Sequence, residues 1–258
     1  MIAWIESQDT SVIVVLVFAF CYLLAAVVLL VGVAISRRPI AAELKATTPV
    51  MLTPMSMIVG LLIAFLAARV WSNVDLAQAD LTQEANALRT VMLFSADLPG
   101  TAQTAVRDAV GRYIRFVETE DWPAMARGDI DLHHVPPDLA TVMTTLLSSV
   151  PATPGQQIAQ QRAVIALEQA LQVRRDRILL SRTAIAPIQW NVIILLFALI
   201  LLIIGMVHVD RPATVAVNLF VFATAVAACL MLLLVNDRPF AAGGFTVQPE
   251  ALRAIRPD

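Results

Sequence analysis

Four long apolar stretches dominate the chain, and each is long enough to cross a membrane. The first, residues 11–35, carries no charge. At about 1.5 Å rise per residue it crosses a hydrocarbon core of about 30 Å with some tilt. Ser36, Arg37, Arg38 and Pro39 stop it. The second runs from about 54 to 70, where Thr53 supplies an N-cap oxygen and Pro54 suits the first helical position. Arg69 and Trp71 at its far end fit an interfacial anchor. The third covers 185–209, with Pro187, Gln189 and Trp190 near its start, and His208, Asp210, Arg211 and Pro212 form a tight hairpin after it. The fourth, 213–235, ends at Asn236-Asp237-Arg238-Pro239. An open strand in lipid would leave edge amides unsatisfied, so each stretch is expected to be a helix. The pattern predicts an all-α membrane protein with four transmembrane helices.

Between the second and third stretches the period changes to that of amphipathic helices. Val74, Ala77, Leu81, Ala85, Leu88 and Met92 recur at steps of three and four. Nothing breaks the chain between Arg69 and Ala96, so the second span is expected to continue out of the membrane as one helix, ended by Pro99-Gly100. A further helix carries Val106, Val110, Tyr113, Ile114 and Val117 and is expected to stop before Trp122-Pro123. Residues 127–137 read as loop, 138–148 as a short helix, and a last long helix from about 156 is expected to run on into span three. The organisation is a first transmembrane pair (1–70), a polar helical bundle (71–184), a second transmembrane pair (185–235) and a tail (236–258).

Composition agrees. The 258 residues are 59% hydrophobic and 15% charged, well below the ~25% charge of a soluble domain. The net charge of −2 gives no reason to expect nucleic acid, and the only lysine is Lys45, so no polybasic lipid switch is expected. Met1 to Thr10 contains Glu6 and Asp9 and no base, which reads as a retained first span and not a cleaved signal. Cys21 and Cys229 lie inside apolar stretches and act as small hydrophobes.

Span two offers the candidate site. Gly60, Ala64 and Ala68 stand one turn apart, a small-residue row that lets helices approach closely. Ile58, Leu62 and Phe65 can then face a pore axis as a hydrophobic constriction, with Arg69 as a ring at its mouth. The plainer readings are a packed span in a closed bundle and an arginine reaching the headgroups. Asp129, Asp131, His133 and His134 are close in sequence, but a solvated loop explains them better than a metal. Asp75, Asp80 and Glu84 read as a solvated face, or as the wall of a vestibule. No phosphate loop or nucleophile elbow is present and the apolar stretches hold essentially no ionisable groups, so no enzyme activity and no cofactor are expected.

Gly60-Leu-Leu-Ile-Ala-Phe65, Arg69-Val-Trp71, Glu84-Ala-Asn-Ala-Leu88, Glu120-Asp-Trp-Pro-Ala-Met125 and Asp237-Arg-Pro-Phe240 occur in that order around the four spans. This arrangement resembles the bestrophin-like family of bacterial membrane proteins, from about Met57 to Leu252, with Trp71, Glu84, Trp122, Pro123, Pro239 and Phe240 among the matching positions. That family in turn resembles the true bestrophins, pentameric ion channels whose second span lines the pore and whose inserted helices form a cytosolic vestibule. The resemblance implies a homo-oligomer, as a pentamer, in the bacterial inner membrane, in contact with lipid and small inorganic ions. The alternative is a non-conducting scaffold or sensor whose bundle binds a partner. Calcium-gated bestrophins follow the proline-phenylalanine motif with acids, whereas Ala241-Ala-Gly-Gly-Phe245 stands here, so calcium gating of that kind is not expected. For orientation, the density of Arg37, Arg38, Lys45 and Arg211 favours cytoplasmic short loops. The resemblance implies the reverse, with the bundle cytoplasmic, and that orientation is adopted.

Overall fold

The computed structural model describes residues 10–36, 40–98, 101–132, 134–207, 211–240 and 247–257, with the backbone alone over 40–49. Arg37 to Pro39, Pro99-Gly100, His133, His208 to Asp210 and the 241–245 segment lie outside the described residues, as do the side chains of Glu43 and Lys45. Every regular element among the described residues is helical. The helices are α1 (Thr10–Ser36), α2 (Ile40–Ser95), α3 (Ala102–Phe116), a π-turn (Val117–Asp121), α4 (Trp122–Arg127), α5 (Pro137–Ser148), α6 (Pro154–Ser181), α7 (Pro187–Val207), α8 (Pro212–Asn236) and α9 (Glu250–Arg253). Four of them, α1, α2 from Val50, α7 and α8, are long and apolar enough to cross a membrane. The fold is an all-α, multi-pass membrane protein. The chain divides into two units, 1–72 with 184–237, and 73–183 with 238–258.

In the first unit α1 packs along α8 and α7. Its buried side chains include Cys21, Ala25 and Val28 from α1, Val59, Leu66 and Val70 from α2, Phe197 and Leu201 from α7, and Leu219 and Ala223 from α8. Lipid gives apolar side chains no reason to leave it, so close packing and internal polar contacts hold such helices together. Gly205 provides the closest packing. A Cβ built there would lie 2.9 Å from Val28 Cγ1, inside contact distance, and one on Gly32 would meet the Gly205 carbonyl at 3.6 Å. The polar contact is Tyr22 with Thr224, 3.0 Å apart. Thr224 donates its own proton to the Phe220 carbonyl at 2.7 Å, so Tyr22 donates to Thr224. The Tyr22 ring also stacks on Phe220 at 5.1 Å.

The second unit has its own core, in which the two amphipathic stripes meet. Ala77, Leu81, Ala85 and Leu88 are buried with Val106, Val110, Tyr113, Ile114 and Val117, while Val74 and Met92 pack at the edge. α5 closes over α3 and joins α6. The tail folds back onto this unit: the Val247 N–H donates to the Pro239 carbonyl at 3.1 Å, and Leu252 is fully buried.

Three boundaries differ from expectation, and each difference turns on a proline. Thr53-Pro54 does not start a helix, because α2 begins at Ile40 and runs through it. A proline removes a single intrahelical bond, and an apolar setting makes further loss of backbone pairing costlier than tolerating it. The helix before Trp122-Pro123 does not stop either. It widens into the π-turn, in which the Trp122 N–H reaches the Val117 carbonyl, and α4 continues from there. The extra residue puts Pro123, which has no N–H, near the start of α4. α4 ends at Gly128, at φ +75°, a left-handed cap suited to glycine.

The last long helix does not run into span three. α6 ends at Ser181, and α7 restarts at Pro187, whose ring would clash with the Thr183 carbonyl in a continued helix. The opened backbone is capped: both carboxylate oxygens of Asp237 accept the Ile185 N–H, at 2.8 and 3.1 Å, and Gln189 Oε1 accepts that of Ala186 at 3.0 Å.

Gly205→Ala should therefore destabilise the first unit by about 1–3 kcal/mol through overpacking against Val28. A lowered melting temperature in detergent is the expected result, and Val28→Ala in the same chain should recover part of it.

Candidate functional site

Two groups of residues carry the chemistry, one along span two and one inside the second unit. In span two, Val59, Leu66 and Val70 are buried against the chain's own spans. At 100° per residue they define one face, and Gly60, Ala64 and Ala68 fall on the other side of the helix. Those three are exposed, and nothing lies within 4 Å of a Cβ built on Gly60. Ile58, Phe65 and Arg69 are also exposed, on the flank of the same open arc. Leu62 differs from them: it is half-buried and packs against the chain's own core. Beyond Ser72, Asp75, Gln78, Thr82 and Asn86 continue the exposed three-and-four spacing with polar side chains. Trp71 is half-exposed.

The second group centres on Arg177, whose side chain has no solvent exposure. Its Nε donates to Glu84 Oε2 at 2.9 Å and its Nη2 to Oε1 at 3.4 Å. Glu84 is equally buried and also accepts the Tyr113 hydroxyl. The expectation of a solvated face therefore fails at Glu84, because Arg177 from α6 neutralises it in the core. One turn earlier on α6, Arg174 makes a fork onto Asp121, with Nε to Oδ2 at 2.9 Å and Nη2 to Oδ1 at 3.0 Å. Its Nη1 donates to the His134 carbonyl at 3.0 Å. Arg177 Nη2 stands 4.0 Å from Asp121, which joins the two pairs. The remaining Arg177 nitrogen faces Met125 Sδ at 3.5 Å, and the guanidinium lies over the Trp122 ring, 5.6 Å from its centroid. Trp122 in turn takes the edge of Phe240 at 5.4 Å.

Two acids and two arginines thus form a neutral, buried set. Burial alone would lower the Arg177 pKa, but Glu84, with Tyr113 and Asp121, more than offsets it and the net direction is up. Burial pushes the Tyr113 hydroxyl well above its ordinary range, and the adjacent Glu84 charge and hydrogen bond add to this. The proton stays on Tyr113. The paired charges tie α2, α6 and the π-turn together.

Of the motif positions, the structure brings together Glu84, Trp122 and Phe240, with Pro123 next to Trp122 and the Pro239 carbonyl tying down Val247. Asp129, Asp131 and His134 remain exposed, and no group of three or more His, Cys, Asp or Glu side chains among the described residues is placed to hold a metal. Arg174 and Arg177 are functional positions that sequence reasoning does not single out. The available signal was their spacing, since they interrupt an apolar row of Leu167, Ala170, Val173 and Ile178.

Removing one partner leaves an uncompensated buried charge, so Glu84→Leu should destabilise the chain by about 3–5 kcal/mol. Glu84→Leu with Arg177→Met should recover much of that, as measured by thermal unfolding in detergent.

No curated protein matches the chain, and no solved structure does. A family model described as the bestrophin-like domain matches residues 19–252. The match takes in most of the first span, the other three spans, the buried ion set and the Asp237-Arg-Pro-Phe240 segment. The chain belongs to the bestrophin-like family.

Proposed function

We propose that the chain assembles as a pentamer into an ion channel whose conduit runs along span two. The observation that carries this reading is how little of span two its own chain covers. In the most apolar stretch of each span, α2 has 11% of its residues buried, against 39% for α7 and for α8. A helix with a free arc of this kind has room for both a conduit and a neighbouring copy. Gly60, Ala64 and Ala68 seat the neighbouring copy, where the absence of side-chain bulk permits close approach. Ile58 and Phe65 narrow the conduit, which opens by wetting of an apolar constriction, with Leu62 nearer its own spans. Arg69 supplies a ring of positive charge at one mouth. The exposed polar side chains from Asp75 to Asn86 then line a hydrated vestibule.

Family membership supports the reading, together with spans free of the ionisable clusters that intramembrane catalysis would need. The protein acts on small inorganic ions, needs no cofactor and is not an enzyme. It resides in the bacterial inner membrane with its bundle in the cytoplasm.

Planar-bilayer recording of the purified protein tests this. Phe65→Ala should raise unitary conductance or open probability, and Leu62→Ala should have a smaller effect. Gly60→Leu should lower the oligomeric state on native mass spectrometry. A chain that stays monomeric or dimeric and shows no current in wild type or Phe65→Ala would overturn the channel and leave the scaffold or sensor. Orientation is read by reporter fusions at Gly128 and Lys45, with cytoplasmic activity expected at Gly128.

A further inference from the structure

A groove of about 750 Å³ in the second unit lies between the α2 extension, α3 and the tail. Its basic side chains are Arg89 from α2, Arg107 from α3 and Arg256 from the tail, and no acid among the described residues lines it. Arg89 and Arg107 form no ion pair among the described residues. Arg256 reaches Glu118 only at 3.9 Å, while Arg253 already holds that carboxylate at 2.7 Å. Glu118 is thus shared between two arginines and lies outside the groove lining, so the like charges of Arg89, Arg107 and Arg256 are left to an anion to join. The guanidinium fork suits phosphate oxygens, which accept two parallel bonds.

The rest of the lining indicates the size and kind of ligand. Met92, Leu93 and Ile255 give apolar surface beside the arginines, and Asn86 and Gln103 give neutral donors and acceptors. Convergent polar groups on an apolar wall, in a volume of this order, are the usual make-up of a small-molecule site. A bare inorganic ion would leave the apolar surface unused. The tail wall is held in place by the Arg253–Glu118 pair and by buried Leu252.

We propose that this groove binds a small phosphorylated metabolite with an apolar or flat body, its phosphates held by Arg89, Arg107 and Arg256. The site does not depend on the conducting reading, and its test involves no current. Titration calorimetry on the full chain in maltoside micelles, which contain no phosphate headgroup, uses ADP as the probe. Saturable binding is expected, weaker at high salt. Arg89→Gln with Arg107→Gln should weaken it about tenfold or more, whereas Arg175→Gln, at an exposed arginine on α6 outside the groove, should leave it unchanged. Thermal melts of the double variant matching wild type would show that it is folded. Absence of ADP binding into the millimolar range, wild-type affinity in the double variant, or an equal loss in Arg175→Gln would each overturn the proposal.

Discussion

A guanidinium removed from water must be matched charge for charge, and Arg177 sets this requirement for the second unit. Isolated, it would cost several kcal/mol to bury. Glu84 answers with two oxygens, Tyr113 holds one of those oxygens in place, Asp121 approaches from the π-turn, and Trp122 covers the flat face. Each contact fixes a different helix. The Glu84 fork sets the rotation of α2 against α6, and the Arg174–Asp121 fork does the same for the turn leading to α4. Hydrophobic burial gathers these helices without specifying how they rotate. The paired charges specify it, since a helix turned by one residue would leave an ion unpaired.

This explains which parts of the fold could be read from the chain. The spans were legible because lipid imposes one length and one backbone solution, and residues 11–35 or 213–235 admit no other reading. The stripes of α2 and α3 were legible because burial on one face imposes a period. Glu84 was not. A carboxylate on an amphipathic helix looks solvated until its partner is known, and Arg177 lies 93 positions away. Local pattern carries no trace of so distant a pairing, except that Arg174 and Arg177 sit on what is otherwise the apolar side of α6.

The prolines show the same limit at the level of backbone. Pro54, Pro123 and Pro187 have the same chemistry, and a sequence rule treats each as a boundary. Surroundings give three outcomes. Pro54 stays within a helix flanked on both sides by helical chain, Pro123 follows a π-turn that absorbs the mismatch, and only Pro187 breaks the helix. At Pro187 the freed amides have ready acceptors in Asp237 and Gln189. A proline therefore ends a helix cleanly where something else can satisfy the amides it releases.

The Asp237-Arg-Pro-Phe240 segment gains a physical meaning from this. Its first residue caps the opened backbone ahead of α7 in the first unit, and its last seals the aromatic cover over Arg177 in the second. Each role depends on one side chain in one position: a carboxylate able to accept an amide, and a ring whose edge can meet Trp122. Neither role involves binding or passing an ion. Folding alone thus accounts for Asp237 and Phe240, and function is left to surfaces that folding leaves free. In this chain those are the open arc of span two and the arginine groove.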